Sequence, residues 1–166
     1  MRHTLFLLRH AEASPTPRGG TDFDRPLSNQ GELDAILSAR WLNKHHALPL
    51  TANSSPATRA RQTVTALSTR RPSETLDLEF DERLYLANIQ TLLEILAETS
   101  ESINRLLLVG HNPGLTQLLH YLALPNALSP NCQVMSPASI ALITFDSNWS
   151  DLSNQCGLAC QLIYSS

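Results

Sequence analysis

The chain has 166 residues, 42% of them hydrophobic and 16% charged. That length fits one domain, and the composition excludes a disordered chain or a coiled coil. The formal net charge of −3 argues against bulk attraction to nucleic acid or an anionic membrane.

Thr4–Leu8 is a short apolar run and reads as a buried strand. It is too short for a signal-peptide core, and no stretch reaches the roughly 20 apolar residues of a membrane span. A cytoplasmic protein is expected. Residues 14–26 carry Pro15, Pro17, Gly19, Gly20 and Pro26 and read as a loop. Ser28 is an N-cap candidate for a helix to about His45, with Leu33, Ile36, Leu37 and Trp41 on related faces. Thr51–Ser54 is a short strand, followed by a helix from about Ala57 to Ser68. Leu76–Phe80 is a further strand.

Ile89, Leu92, Leu93 and Leu96 fall at i, i+3, i+4 and i+7, the spacing of an amphipathic helix. Arg105–Val109 is a strand, and Gly110–Gly114 a turn. Leu115, Leu118, Leu119 and Leu122 repeat the helical spacing. Ser139–Phe145 and Leu158–Tyr164 close the chain as strands, in the manner of a hairpin. The alternation predicts a mainly parallel sheet with helices on both faces. In such folds ligands bind beyond the carboxyl ends of the strands.

Cys132, Cys156 and Cys160 are an odd, clustered set and not a disulfide framework. They lack a second Cys or His pair at zinc spacing, so no metal is expected. They read as small buried or half-buried thiols. Lys44 is the only lysine among twelve basic residues. The arginines are therefore suited to forked recognition of phosphate or carboxylate, and their positions matter.

Three segments follow predicted strands: Leu8–Glu12, Ser54–Thr63 and Val109–Gly114. In a parallel sheet they converge on one edge. They bring Arg9, Arg59, His10 and His111 beside helix N-termini, which makes an anion site. The set also holds a nucleophile, because a neutral imidazole attacks phosphorus and leaves from it readily. The flying phosphoryl group needs mainly positioning and electrostatic clamping. His3, His45, His46 and His120 have no motif context. Arg70 and Arg71 read as solvated.

Arg9-His10-Ala11-Glu12, the Ser55-Pro56-x-x-Arg59-Ala60-x-Gln62-Thr63 block and Gly110-His111-Asn112-Pro113-Gly114 together resemble the histidine phosphatase (phosphoglycerate mutase-like) superfamily. Arg25-Pro26-Leu27-Ser28-x-x-Gly31 resembles its helix-opening segment. Met135-Ser136-Pro137-Ala138-Ser139, with the strand that follows and Trp149, resembles the close of the small SixA-type phosphohistidine phosphatases. The resemblance covers essentially the whole chain. It implies a three-layer α/β/α sandwich with an antiparallel edge strand, and one domain over 1–166 without a large cap.

The resemblance further implies that His10 takes the phosphoryl group. Arg9, Arg59 and His111 would bind phosphate oxygens. His10 should be neutral, its second nitrogen bonded to a backbone carbonyl. Water would then hydrolyse phospho-His10, with no metal or other cofactor. Asp81-Glu82-Arg83-Leu84-Tyr85 resembles the segment that supplies a general acid, which makes Glu82 the candidate. Asp22 and Asp24 are poorer candidates, and Glu12 reads as a residue that orders the turn.

Only a short connection separates Glu82 from His111, so the site is expected to be open and shallow. An open site admits a phosphorylated side chain on a protein surface, as in the phosphotransfer domains of signalling relays. A small phosphate ester is the rival substrate. A non-catalytic phosphate-binding module is disfavoured, since it needs no nucleophile. A monomer is expected, with no nucleic acid or membrane partner.

Overall fold

The structure is a computed structural model that describes residues 2–45, 51–68, 76–130 and 134–164. His46, Arg70, Arg71 and Cys132 lie outside the described residues. The strands are β1 (His3–Arg9), β2 (Thr51–Ser54), β3 (Asp77–Phe80), β4 (Arg105–Gly110), β5 (Ile140–Phe145) and β6 (Ala159–Ile163). The helices are α1 (Asn29–Lys44), α2 (Thr58–Ser68), α3 (Ile89–Ala97) and α4 (Gly114–Leu122). Single 3₁₀ turns stand at Asp22–Asp24, Glu82–Leu84 and Trp149–Asp151.

The strands form one sheet in the order β3-β2-β4-β1-β5-β6. β3, β2, β4 and β1 pair in parallel. The antiparallel pairings lie toward the other edge, where β5 runs against β1 and β6 against β5. The reversed strand β5 is thus second from the edge, and residues 146–158 lead from it back to β6.

Alternation along the strands builds two cores. Leu5 and Leu7 of β1, with Leu106 and Leu108 of β4, face Leu92, Leu96, Leu115 and Leu118 of α3 and α4. Phe6, Leu8, Leu107 and Val109 face Ala39 and Leu42 of α1 and Val64 and Leu67 of α2. Successive side chains of a strand point to opposite faces, so a strand apolar at every position must be covered on both. The result is the expected three-layer α/β/α sandwich.

Helix α1 starts as expected, with the Ser28 hydroxyl accepting from the Gly31 amide at 3.0 Å. Its buried face differs from the stripe of large residues. Gly31, Ala35, Ser38, Ala39 and Leu42 are buried, while Leu33 and Leu37 are exposed. Close approach explains the choice of small residues. A Cβ on Gly31 would collide with the carbonyl oxygen of Glu12. The start of α1 is therefore pressed against the chain just beyond β1, where His10 and Ala11 stand.

His3 is buried, with Nδ1 3.0 Å from the Ser147 carbonyl oxygen and its ring beside Trp149. Its place is at the opposite end of β1 from His10. Cys156 and Cys160 are half-buried free thiols. Among the described residues, no helix is long and apolar enough to cross a membrane.

Candidate active site

Strands β2, β4 and β1 are neighbours and parallel, so their carboxyl ends lie side by side. Ser54 pairs with Val109 and Arg9 with Gly110. The ladder runs one residue further, through Ser55 N–H to Val109 O at 2.9 Å and His10 N–H to Gly110 O at 3.1 Å. His10, the Ser55–Arg59 block and His111 are thereby brought together. Arg9, His10, Arg59 and His111 line one cavity of about 450 Å³.

The ring of His10 is fixed by a local bond. Nδ1 lies 2.7 Å from the Ala11 carbonyl oxygen. A carbonyl only accepts, so the ring hydrogen sits on Nδ1 and Nε2 keeps its lone pair. Arg59 Nε donates to that nitrogen at 3.3 Å. Burial disfavours the imidazolium, and Arg59 and Arg9 oppose a further positive charge. Together they outweigh the Ala11 bond and push the His10 pKa down to about 4.

Arg59 is only 3% exposed and joins four groups. Nη1 donates to the Asp22 carbonyl oxygen at 2.6 Å and Nη2 to Asp22 Oδ2 at 3.0 Å. Nη2 also lies 3.4 Å from His111 Nδ1. Asp22 Oδ2 accepts from the Tyr85 hydroxyl at 2.7 Å, and Oδ1 from Arg25 Nη1 at 3.1 Å. The Tyr85 hydroxyl, with Arg25 and Arg59, holds the Asp22 carboxyl well below the usual range. Asp22 is therefore a fixed carboxylate.

The two imidazoles are close, with ring centroids 5.0 Å apart. His111 is buried, its Nε2 2.7 Å from Ser55 Oγ. Burial, then His10 and Arg59, push its pKa down to about 3. Arg9 is braced by the segment that precedes β5. Its Nη1 donates to the Met135 carbonyl oxygen at 2.7 Å, which also accepts from Asn112 Nδ2 at 2.9 Å. The Ala138 amide bonds the Arg9 carbonyl at 3.1 Å. The Nε of Arg9 is buried without a hydrogen-bond partner among the described residues.

Glu82 does not join this group. It is exposed at the start of its 3₁₀ turn and does not line the cavity. The turn explains its placement. Residues in a 3₁₀ turn are about 120° apart, and Leu84 is the one buried. Asp81 caps the turn at the Arg83 amide, and Arg83 pairs outward with Glu98. Tyr85, the residue after the turn, is the one that reaches Asp22.

The carboxylates that do line the cavity are Glu12 and Asp22. Glu12 Oε1 accepts from the Ser28 hydroxyl at 2.6 Å and its carbonyl from the Ser28 amide at 2.9 Å. Glu12 thus ties the turn after His10 to the start of α1.

Arg25, Tyr85 and Ser55 are not among the residues the sequence singles out, and Asp22 is there only as a poorer candidate for the acid. Arg25, Ser55 and Tyr85 stand in motif blocks, but no local pattern reveals that the loop carries Asp22 back onto Arg59. That contact spans 37 residues.

The depressed pKa of His10 has a measurable consequence. Followed by NMR, its ring is expected to stay neutral from pH 7 down to about pH 4. A folded-state pKa below the ordinary 6.5 means the unfolded chain binds the proton first. The stability from keeping His10 neutral is present above pH 6.5 and lost as pH falls toward 4. A titration midpoint near 6.5 in the folded protein would contradict this geometry.

Comparisons with known proteins identify the family. The family model of the histidine phosphatase superfamily (branch 1) matches residues 5–89. An uncharacterised protein of Mycobacterium tuberculosis is 32% identical over 154 residues, covering 90% of this chain and 94% of that one. The SixA protein from Nakamurella multipartitia superposes with a TM-score of 0.82 at 25% identity, over 99% of this chain and 96% of its own. The protein histidine phosphatase SixA complexed with tungstate superposes at 0.76 with 23% identity, over 98% and 97%. At that identity the last likeness is one of fold.

Proposed function

Because the chain belongs to the histidine phosphatase superfamily, we propose that it removes phosphoryl groups from phosphohistidine on a protein, through a covalent intermediate on His10. The observation that carries the reading is the unprotonated Nε2 of His10, its ring hydrogen held on Nδ1 by the Ala11 bond and its lone pair accepting from Arg59 Nε. Nε2 attacks phosphorus as the bond to the leaving group breaks on the far side. Arg9, Arg59 and His111 hold the equatorial oxygens while charge is spread over them. The leaving imidazole takes a proton from solvent, and water then attacks phospho-His10, releasing phosphate and the neutral His10 imidazole.

The supply of that proton bears on the substrate. An alkoxide leaving group needs an acid, whereas an imidazole leaves from phosphorus more readily. Of the carboxylates lining the cavity, Asp22 is held ionised and Glu12 is bonded to the Ser28 hydroxyl, while Glu82 stands outside it. This supports a phosphorus–nitrogen bond as the one cleaved. The stretch between the 3₁₀ turn at Glu82–Leu84 and β4 contains α3 alone. Glu12 and Leu86 line the cavity and are both exposed, so its mouth is open to a macromolecular surface.

The test compares hydrolysis of a phosphorylated phosphotransfer domain with a panel of small phosphate esters. The phosphodomain is expected to have the higher kcat/KM by at least about tenfold. A preference for esters by orders of magnitude would overturn the substrate reading and leave the His10 chemistry standing. Glu12 favours that second reading, as a carboxyl group lining the cavity. Loss of ester activity in Glu12→Gln would then identify it as the acid.

A further inference from the structure

The mechanism leaves one buried contact unused: the hydrogen bond between His111 and Ser55. His111 Nε2 lies 2.7 Å from Ser55 Oγ, and Ser55 is fully buried. The other ring nitrogen, Nδ1, faces Arg59 Nη2 at 3.4 Å. A guanidinium has donors only, so Nδ1 accepts in this arrangement. The ring hydrogen is then on Nε2 and is donated to Ser55 Oγ. The same oxygen accepts from the Ala57 amide at 3.3 Å.

A phosphoryl group reverses the demand at Nδ1, because its oxygens are acceptors. A neutral His111 holds such an oxygen only with its hydrogen on Nδ1. Nε2 then becomes an acceptor, and the hydroxyl already beside it must donate. A serine hydroxyl serves in either direction by rotating about its C–O bond.

We propose that Ser55 is a positioning residue that lets His111 exchange tautomers, with Nε2–H before phosphate binds and Nδ1–H once it is held. The proposal rests on the reading of this cavity as the phosphoryl-transfer site. The protons balance. Nδ1 takes one from water in the cavity, and the imidazolium so formed passes its Nε2 proton to Ser55 Oγ, which keeps it as the hydrogen it then donates to Nε2 and releases its own to water. The ring begins and ends neutral. Burial, together with His10 and Arg59, makes the imidazolium unfavourable, so it is a passing state. The hydroxyl thus gives His111 the donor a phosphoryl oxygen needs without a lasting second positive charge beside Arg59.

The experiment is NMR of ¹⁵N-histidine-labelled protein, titrated with inorganic phosphate. The ring shifts of His111 report its tautomer directly. The expected result is an Nε2–H pattern without phosphate and an Nδ1–H pattern with it. The same tautomer in both states, or an imidazolium pattern with phosphate bound, overturns the proposal while leaving the site reading intact. Phosphate that moves neither His10 nor His111 overturns both. Ser55→Ala is expected to weaken phosphate binding about tenfold and to lose the uniform Nδ1–H signal. Ser55→Thr, which keeps the hydroxyl, is expected to restore the signal. Unchanged affinity and tautomer in Ser55→Ala would also overturn the proposal. The wild-type titration decides the matter even if a variant fails to fold.

Discussion

His10→Ala is expected to lower kcat by at least about 10³-fold and to leave no covalent phosphoenzyme. The reason is chemical. The Ala11 carbonyl holds the ring hydrogen on Nδ1, so Nε2 is unprotonated, and Arg59 Nε stands beside it at 3.3 Å. Removing the ring removes the bond-forming atom, which no amount of clamping by arginine replaces. Rapid acid-free quenching of wild-type enzyme with labelled substrate should trap phosphate on His10, labile to acid and stable to base. The variant should show none. The fold should survive, because the ring's one backbone bond is to its neighbour Ala11 and the strand ladder does not depend on it. Retained turnover in a folded His10→Ala protein would sink the covalent mechanism.

Arg59→Lys is expected to cost about 10²-fold or more in kcat/KM, and Arg59→Ala more than that. The guanidinium addresses Asp22 twice, His111 once and His10 once from a single rigid plane. An ammonium on a flexible stem keeps the charge and loses that fork. The deficit should therefore appear in kcat as well as KM, since the donors that matter are those aligned with a phosphoryl group in transfer. Stability should change less than activity. Asp22 is 46% exposed, so its carboxylate regains water when Arg59 leaves. Thermal unfolding alongside the kinetics separates the two effects. Activity of Arg59→Lys within threefold of wild type would show that Arg59 is not the clamp.

The elements and the convergence of the three motif segments were legible because they follow from local rules. β1 and β4 carry unbroken apolar runs, Leu5–Leu8 and Leu106–Val109, α3 and α4 repeat their leucines at helical spacing, and Ser28 caps α1. The turn block of His111 had to follow β4 and the Arg59 block β2, so a parallel sheet was bound to align them. The face of α1 was not legible. Leu33 and Leu37 are the large apolar residues that size and hydrophobicity would turn inward, yet Gly31 must meet the Glu12 backbone and Ala39 the sheet. Contact distance, which the sequence does not carry, decided between them. Glu82 illustrates the same limit. Its motif placed the right segment near the cavity, and the phase of one 3₁₀ turn set Tyr85 there instead.

Sequence alone determined the order of strands and helices, the two histidines and two arginines, and the edge on which they meet. These are matters of residue type, period and chain direction. Only the tertiary structure decided which nitrogen of His10 is free, which carboxylates line the cavity, and how Asp22 and Ser55 engage Arg59 and His111. Such pairings join residues that are 37 and 56 positions apart. Their geometry is set by how loops pack once the sheet is formed, and no spacing along the chain encodes it.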